Sequence, residues 1–269
     1  MGASVGAAFR RAGIRVVWAG DERSDATRTR ALDSDLTDVC TVANVARDSD
    51  VIVSLCPPAA ARDLANAVAA ARFEGIYIDA NAISPATARE VERAVTEHGA
   101  TYVDGSVIGA PVSPGGSTRL YLSGRQAGEV AALFAADDPT VVVLGDDATA
   151  ASALKMCNAA WTKASSAALL TIWATAHAAG VWEALQQEWG RGNADLLARI
   201  DQLSATTPAR AWRFVGEMEE IARTFDDAGL PGGFAGSAAE IYRRLEEFKD
   251  RGDPDRNAVL GALLDPEDN

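Results

Sequence analysis

Val51-Ile-Val-Ser-Leu-Cys56-Pro57-Pro58 is a run of apolar, β-branched residues stopped by a proline pair. Its lack of polar alternation marks a strand covered on both faces, the type found in parallel sheets. Proline cannot donate to a ladder, so the strand ends there and a turn into a helix follows. Downstream, helical patterns over 60–71 and 85–97 enclose a second strand at 75–79. Upstream, helical stretches at 3–12 and 25–32 flank a strand at 14–18, with a weaker strand near 40–42. Further strands are expected at 101–103, 120–122 and 140–144, with a helix over 127–135. Strand alternating with helix implies an α/β fold, a mainly parallel sheet with helices on both faces.

After Gly145-Asp-Asp the pattern changes, and no convincing strand follows. Residues 150–180 read as one long helix, apolar nearly throughout and so expected to be buried. Helices over 181–189, 194–203, 208–228 and 236–248 come next, punctuated by Gly229 and Pro231-Gly-Gly. The expected organisation is an α/β domain over 1–146 followed by an all-helical domain over 147–250. The tail over 251–269, rich in Asp, Pro and Asn, is expected to be loose.

The chain of 269 residues is 48% hydrophobic, enough for a sizeable core. A net charge of −13 argues against nucleic acid or an anionic membrane as partner. No apolar run is long enough to span a bilayer, and the N-terminus has no basic start followed by an apolar stretch. Cys40, Cys56 and Cys157 are scattered, and His98 and His177 are isolated. That pattern predicts neither a metal site nor a Ser-His-Asp triad, and it suits a reducing cytoplasm.

Met1-Gly-Ala-Ser-Val-Gly6 opens a helix, with Gly2 and Gly6 placed like the end of a glycine turn over a pyrophosphate. Dinucleotide folds set a strand before that helix, central in the sheet. No such strand is present, so the sheet is expected to have a gap, and Met1 to fall inside the glycine turn. After the strand at 14–18, Asp21 and Glu22 favour the free ribose of NAD, whereas Arg23, Ser24 and Arg28 favour a 2′-phosphate. Two guanidiniums and a hydroxyl tip the expectation to NADP, with NAD possible. Cys56 and Pro57, at a strand end, are expected to run beside the cofactor. Asn81, just past the strand at 75–79, is a candidate for the nicotinamide ribose, and Ser84 before Pro85 reads as a helix cap.

Lysine is scarce: 3 residues against 22 arginines. Lys155 and Lys163 both fall in the apolar 150–180 run. Unlike arginine, a desolvated lysine can lose its proton near neutral pH. Asn158, three residues after Lys155, shares its helix face. A lysine and an amide there suit the holding of a substrate oxygen and the movement of a proton.

With these pieces placed, the chain resembles the β-hydroxyacid dehydrogenase superfamily, which includes 3-hydroxyisobutyrate and 6-phosphogluconate dehydrogenases and the imine reductases. Met1-Gly2 resembles the end of its Gly-x-Gly-x-Met-Gly turn, and Asp79–Thr87 its Asp-x-Ser-Thr-x-Ser-Pro-x-Thr segment. Asp104-Gly-Ser106-Val-Ile108-Gly109 is similar to the substrate motif Asp-Ala-Pro-Val-Ser-Gly. Lys155-Met-Cys-Asn158-Ala159 resembles Lys-x-x-Asn-Asn, whose lysine is the family's general acid/base. The segments from Ala160 to Lys163 and from Ala211 to Glu220 resemble a poorly characterised phosphogluconate dehydrogenase-like branch. The resemblance implies hydride transfer between NADP(H) and a small hydroxy acid or related alcohol or carbonyl. It assigns Lys155 and Asn158 to catalysis, and Ser106, Ile108, Gly109 and Lys163 to substrate. It also implies a homodimer through the helical domain. Ile108 and Ala159 replace the motif's serine and second asparagine, which points away from 3-hydroxyisobutyrate and 6-phosphogluconate. Imine reduction and a non-catalytic dimeric relic are the alternatives.

Overall fold

A computed structural model of the chain describes residues 1–134, 139–252 and 254–265. The chain divides into two compact units, Met1–Met156 and Cys157–Asn269.

In the first unit, α1 (Gly2–Arg11), α2 (Asp25–Asp33), α3 (Val42–Asp48), α4 (Ala61–Ala70), α5 (Pro85–Thr96) and α6 (Ala127–Ala131) alternate with short strands. The strands are β1 (Val17–Trp18), β2 (Thr37–Asp38), β3 (Val51–Ser54), β4 (Ile76–Asp79), β5 (Thr101–Ile108), β6 (Arg119–Ser123) and β7 (Thr140–Val143). They form two sheets, a parallel β1-β2 pair and a five-stranded sheet ordered β3-β4-β5-β6-β7. All neighbours in the larger sheet are parallel except β5 and β6. Among the described residues no strand joins the two sheets, so the interruption read from the sequence stands in the fold.

Each face of the five-stranded sheet carries its own core. Val5, Ala8 and Phe9 of α1 pack with Ile78, Val103, Val107, Leu122 and Phe134, the two phenyl rings 4.3 Å apart. On the other face Ala65 and Val68 of α4 and Val91 and Val95 of α5 pack with Ile52, Tyr77 and Tyr102. Inward residues of α5 recur at 88, 91 and 95, the helical period. Ser84 is its cap, accepting from Thr87 N at 3.2 Å.

Several boundaries differ from expectation. The weak strand near 40–42 is displaced: β2 lies at Thr37–Asp38, and Thr41 caps α3 by accepting from Asn44 N. β5 runs to Ile108, held in register by antiparallel β6, so Ser106 and Ile108 are strand residues. Residue 135, at the end of the helix expected over 127–135, lies outside the described residues. The division between units falls after Met156 and not after residue 146. The start of α7 (Ala150–Ala159) is bonded to β5 and β6, which keeps it with the sheet.

The second unit holds α8 (Ser165–Ala178), α9 (Trp182–Gly192), α10 (Ala194–Thr206), α11 (Ala211–Asp227), α12 (Gly233–Arg243) and α13 (Arg256–Leu264). Leu170, Trp173, Ile200, Met218, Ile221, Tyr242 and Leu245 are fully buried there. A π-helical turn, Ala160–Ala164, interrupts the helix expected over 150–180, and Tyr242 donates to the Lys163 carbonyl within it. That helix is not buried on all sides: Trp161 and Ile172 are exposed. The tail is also not wholly loose. Asp255 caps α13 by accepting from Ala258 N, and the helix buries Val259 and Leu263. Residues 253 and 266–269 of the tail lie outside the described residues. Among the described residues no helix is long and apolar enough to cross a membrane.

Candidate active site

Parallel pairing sets Ser54 and Asp79, the last residues of β3 and β4, side by side with Asp104, midway along β5. Strand ends of this kind are where open α/β sheets bind ligands. All three residues are buried. Asp79 accepts from Asn81 N at 2.9 Å and from Asn81 Nδ2 at 3.0 Å. The same amide donates to Ser54 Oγ at 2.7 Å and accepts from Cys56 N at 2.6 Å. Asn81 is thus a brace tying the loop after β3 to the end of β4. At 2% exposure its side chain is committed to the protein, and a direct reach to a ribose is not what this geometry provides. Burial pushes the Asp79 carboxyl up to about 6, against the lowering effect of the Asn81 bonds. It also pushes the Cys56 thiol up to about 11, with the Asp79 charge adding to it, so Cys56 is not a nucleophile at neutral pH. Pro57 is exposed beside it and leads into a short 3₁₀ turn, Pro58–Ala60.

Asp104 is the second buried carboxyl. It accepts from Ser152 N at 2.8 Å, Ser152 Oγ at 2.6 Å and Ser123 Oγ at 3.1 Å. Ser123 Oγ in turn accepts from Ala151 N at 3.0 Å. These bonds satisfy the first amides of α7, which would otherwise be orphaned. Burial pushes the Asp104 carboxyl up to about 7, although the Ser152 bonds lower it. Asp104 was legible only as the first residue of a substrate-like motif. Its role as the anchor of α7 had no local signal, because Ser123 and Ser152 are distant in sequence.

One turn past Ser152, Lys155 Nζ donates to the Val107 carbonyl of β5 at 2.8 Å. Asn158, also in α7, is exposed. Ser106 is buried, and its hydroxyl has no hydrogen-bond partner among the described residues. Ile108 is half-buried and Gly109 exposed. Gly109 has φ +131°, and a Cβ there would lie 3.0 Å from Thr118 Cα, so the turn after β5 needs glycine.

At the other sheet, Arg23, Ser24 and Arg28 gather around the start of α2, Arg28 Nε 3.3 Å from the Arg23 carbonyl. Ser24 Oγ lies 3.1 Å from Thr27 Oγ1. Arg28 also stands 3.5 Å from Asp38, a residue that no sequence motif singles out. Asp38 accepts from Gly20 N at 3.0 Å and Cys40 N at 2.8 Å, tying the loop after β1 to the loop after β2. A Cβ at Gly20 would meet this carboxylate at 2.0 Å. A cavity of about 350 Å³ beside them is lined by Trp18, Asp25, Arg28, Leu36 and Asp38 among others.

Gly2 opens α1, whose first turn has no side-chain cap, and its nearest neighbour beyond the adjoining residues is Leu55 at the end of β3. In the second unit, Lys163 pairs with Glu217 at 2.7 Å and lies over the Phe214 ring. It lines a cavity of about 220 Å³ with Thr207, Arg210, Phe214 and Tyr242 among others. Among the described residues there is no group of three or more His, Cys, Asp or Glu side chains placed to hold a metal.

Residues 1–136 match the family model for the NAD binding domain of 6-phosphogluconate dehydrogenase. Residues 176–245 match a domain of unknown function, DUF1932. The chain therefore belongs to the β-hydroxyacid dehydrogenase superfamily, with a nicotinamide-cofactor-binding α/β domain followed by a helical region. An uncharacterised 28.5 kDa protein of Methanothermus fervidus is 28% identical over 157 residues, 57% of this chain and 60% of that protein. A conserved hypothetical protein of Sinorhizobium meliloti is 25% identical with a TM-score of 0.62, over 97% of this chain and 92% of that one. The 3-hydroxyisobutyrate dehydrogenase of Mycobacterium tuberculosis has the same fold, with a TM-score of 0.67 and 20% identity over 98% of this chain and 96% of that one.

Proposed function

We propose that the protein is an NADP-dependent oxidoreductase acting on a small hydroxy acid or a related alcohol or carbonyl, with Lys155 carrying the proton. The observation behind this reading is the Lys155 Nζ to Val107 carbonyl bond at 2.8 Å. It holds an amine against the 104–109 segment that resembles the family's substrate motif.

The residues fit a dinucleotide. The uncapped first turn of α1 at Gly2 offers amides suited to a pyrophosphate. Arg23, Ser24 and Arg28 suit a 2′-phosphate, and the proline-stiffened loop after Cys56 supplies backbone at a strand end. Bound nicotinamide supplies or takes the hydride. Lys155 takes the hydroxyl proton in oxidation and returns it in reduction. Asn158 orients the substrate oxygen, and Ser106, Ile108 and Gly109 bound the pocket from β5. Lys163, paired with Glu217 in the second unit, is carried as a substrate residue by the family resemblance alone. The exposed Trp161 and Ile172 suit cover by a second copy in a homodimer, and the working compartment is the cytoplasm.

The test is Lys155→Met assayed against a panel of hydroxy acids with NADP and NAD. Loss of turnover with unchanged NADPH binding supports the reading. Near-normal turnover removes Lys155 from the chemistry.

A further inference from the structure

We propose that Asp104 is a positioning residue: its buried carboxylate, through Ser152, sets the rotation and height of α7 on β5 and thereby places Lys155 Nζ on the Val107 carbonyl. This rests on the reading of Lys155 as the proton carrier, but the placement itself stands on bonds within the first unit.

Two links join α7 to β5. Ser152 is bonded to Asp104, and Lys155 to Val107. Both steps are three residues, along the helix and along the strand. Three strand residues advance about 10 Å, and three helix residues about 4.5 Å. The unequal steps leave the flexible stem of Lys155 to reach its carbonyl, which it does at 2.8 Å while Ser152 holds Asp104. The Asp104 link also fixes rotation, because its two oxygens grip two atoms of Ser152, Oδ2 the backbone N–H and Oδ1 the hydroxyl. Ser123 braces the same point, donating to Asp104 and accepting from Ala151 N. Asp104, Ser123 and Ser152 are all fully buried, so water cannot replace any of these bonds without the helix start opening. The partial positive charge of a helix start favours a carboxylate at this point. A slip of one residue would move Ser152 by about 1.5 Å and turn it by about 100°, off both oxygens.

The small number of lysines makes the placement readable. With lysine Cε labelled, NMR gives signals from Lys155, Lys163 and Lys249 alone, assigned by single Lys→Arg variants. In the native protein the two Hε protons of Lys155 are expected to be inequivalent, because Nζ is held. In Ser152→Ala, and in Asp104→Asn, they should merge and move toward the position of a free lysine. The Lys163 signal, from its Glu217 pair in the second unit, should stay, and the backbone amide spectrum should report that the first unit remains folded. Ser152→Thr, which keeps the hydroxyl, should restore the native Lys155 signal. Once a substrate is in hand, Ser152→Ala should lower kcat roughly 10- to 100-fold with NADPH affinity unchanged. A Lys155 signal unaltered in folded Ser152→Ala overturns the proposal, whatever Lys155 does in catalysis. A Lys155→Met enzyme with full turnover would instead overturn the catalytic reading and leave the placement standing. If Asp104→Asn fails to fold, Ser152→Ala with its threonine rescue still decides.

Discussion

The strand ends of the two sheets face opposite demands. At β1 and β2, Arg23, Ser24 and Arg28 are exposed or nearly so, and their internal bonds are few and long, Arg28 to Asp38 at 3.5 Å. At β3, β4 and β5 the polar groups are buried and held by several short bonds. A site that recognises a charged group arriving from solvent has to leave its donors uncommitted. A site that places a reacting amine has to use its polar groups on the protein itself, so that geometry exists before substrate arrives. Under the proposed function, accessibility marks recognition and saturation marks positioning.

The predictions that sharpen this contrast differ in size. Lys155→Met should cost roughly 100- to 10,000-fold in turnover, the usual worth of general acid–base help, with NADPH affinity kept. Asp104→Ala, measured by thermal or urea unfolding, should cost about 3 kcal/mol, since it strands donors at Ser152 and Ser123 away from water. The saturated rim should also make stability depend on pH. Asp79 and Asp104 have carboxyls raised in the fold to about 6 and about 7, so the native state binds more protons than the unfolded chain between about pH 4 and those values. Their contribution is therefore full below about pH 4 and lost as pH rises from there through 6 and 7, by about 3 kcal/mol for Asp79 and about 4 kcal/mol for Asp104. Melting temperatures measured from pH 5 to pH 8 should fall, and Asp79→Asn with Asp104→Asn should flatten the slope. At the open rim, removing Arg23 and Arg28 together should weaken NADP by about tenfold, close to 1.4 kcal/mol, and leave NAD and stability nearly unchanged. Calorimetric titration of both cofactors checks it. Equal loss for NAD and NADP would erase the distinction between the rims.

Much of the open rim was legible in the sequence, and little of the saturated one. Arg23, Ser24 and Arg28 are neighbours in the chain, so their gathering at the start of α2, on which the proposed phosphate clamp rests, follows from their spacing. The strands at 51–56 and 75–79 announce themselves by β-branched runs. By contrast, Asn81 read as a ligand residue because its three partners, Ser54, Cys56 and Asp79, come together only through strand register. β5 was cut short at 103 because Asp104-Gly-Ser interrupts the apolar pattern, and only pairing with β6 carries the strand through it. The π turn leaves no mark in an apolar helical run. The helix within the expected tail did leave one: Asp255 as cap, then Val259 and Leu263 four apart. Acid and proline around it outweighed that signal.

Lys155 is proposed to move the proton in an NADP-linked redox reaction. The direct measurement is NADPH formation by the native protein and by Lys155→Met across a panel of small hydroxy acids, followed by NADPH fluorescence, with cofactor affinity determined for both. Turnover of at least one hydroxy acid by the native protein, its loss in the variant, and equal NADPH binding are the expected results. Equal turnover in the two proteins, or tight NADPH binding with activity only on a cyclic imine, would contradict the proposal.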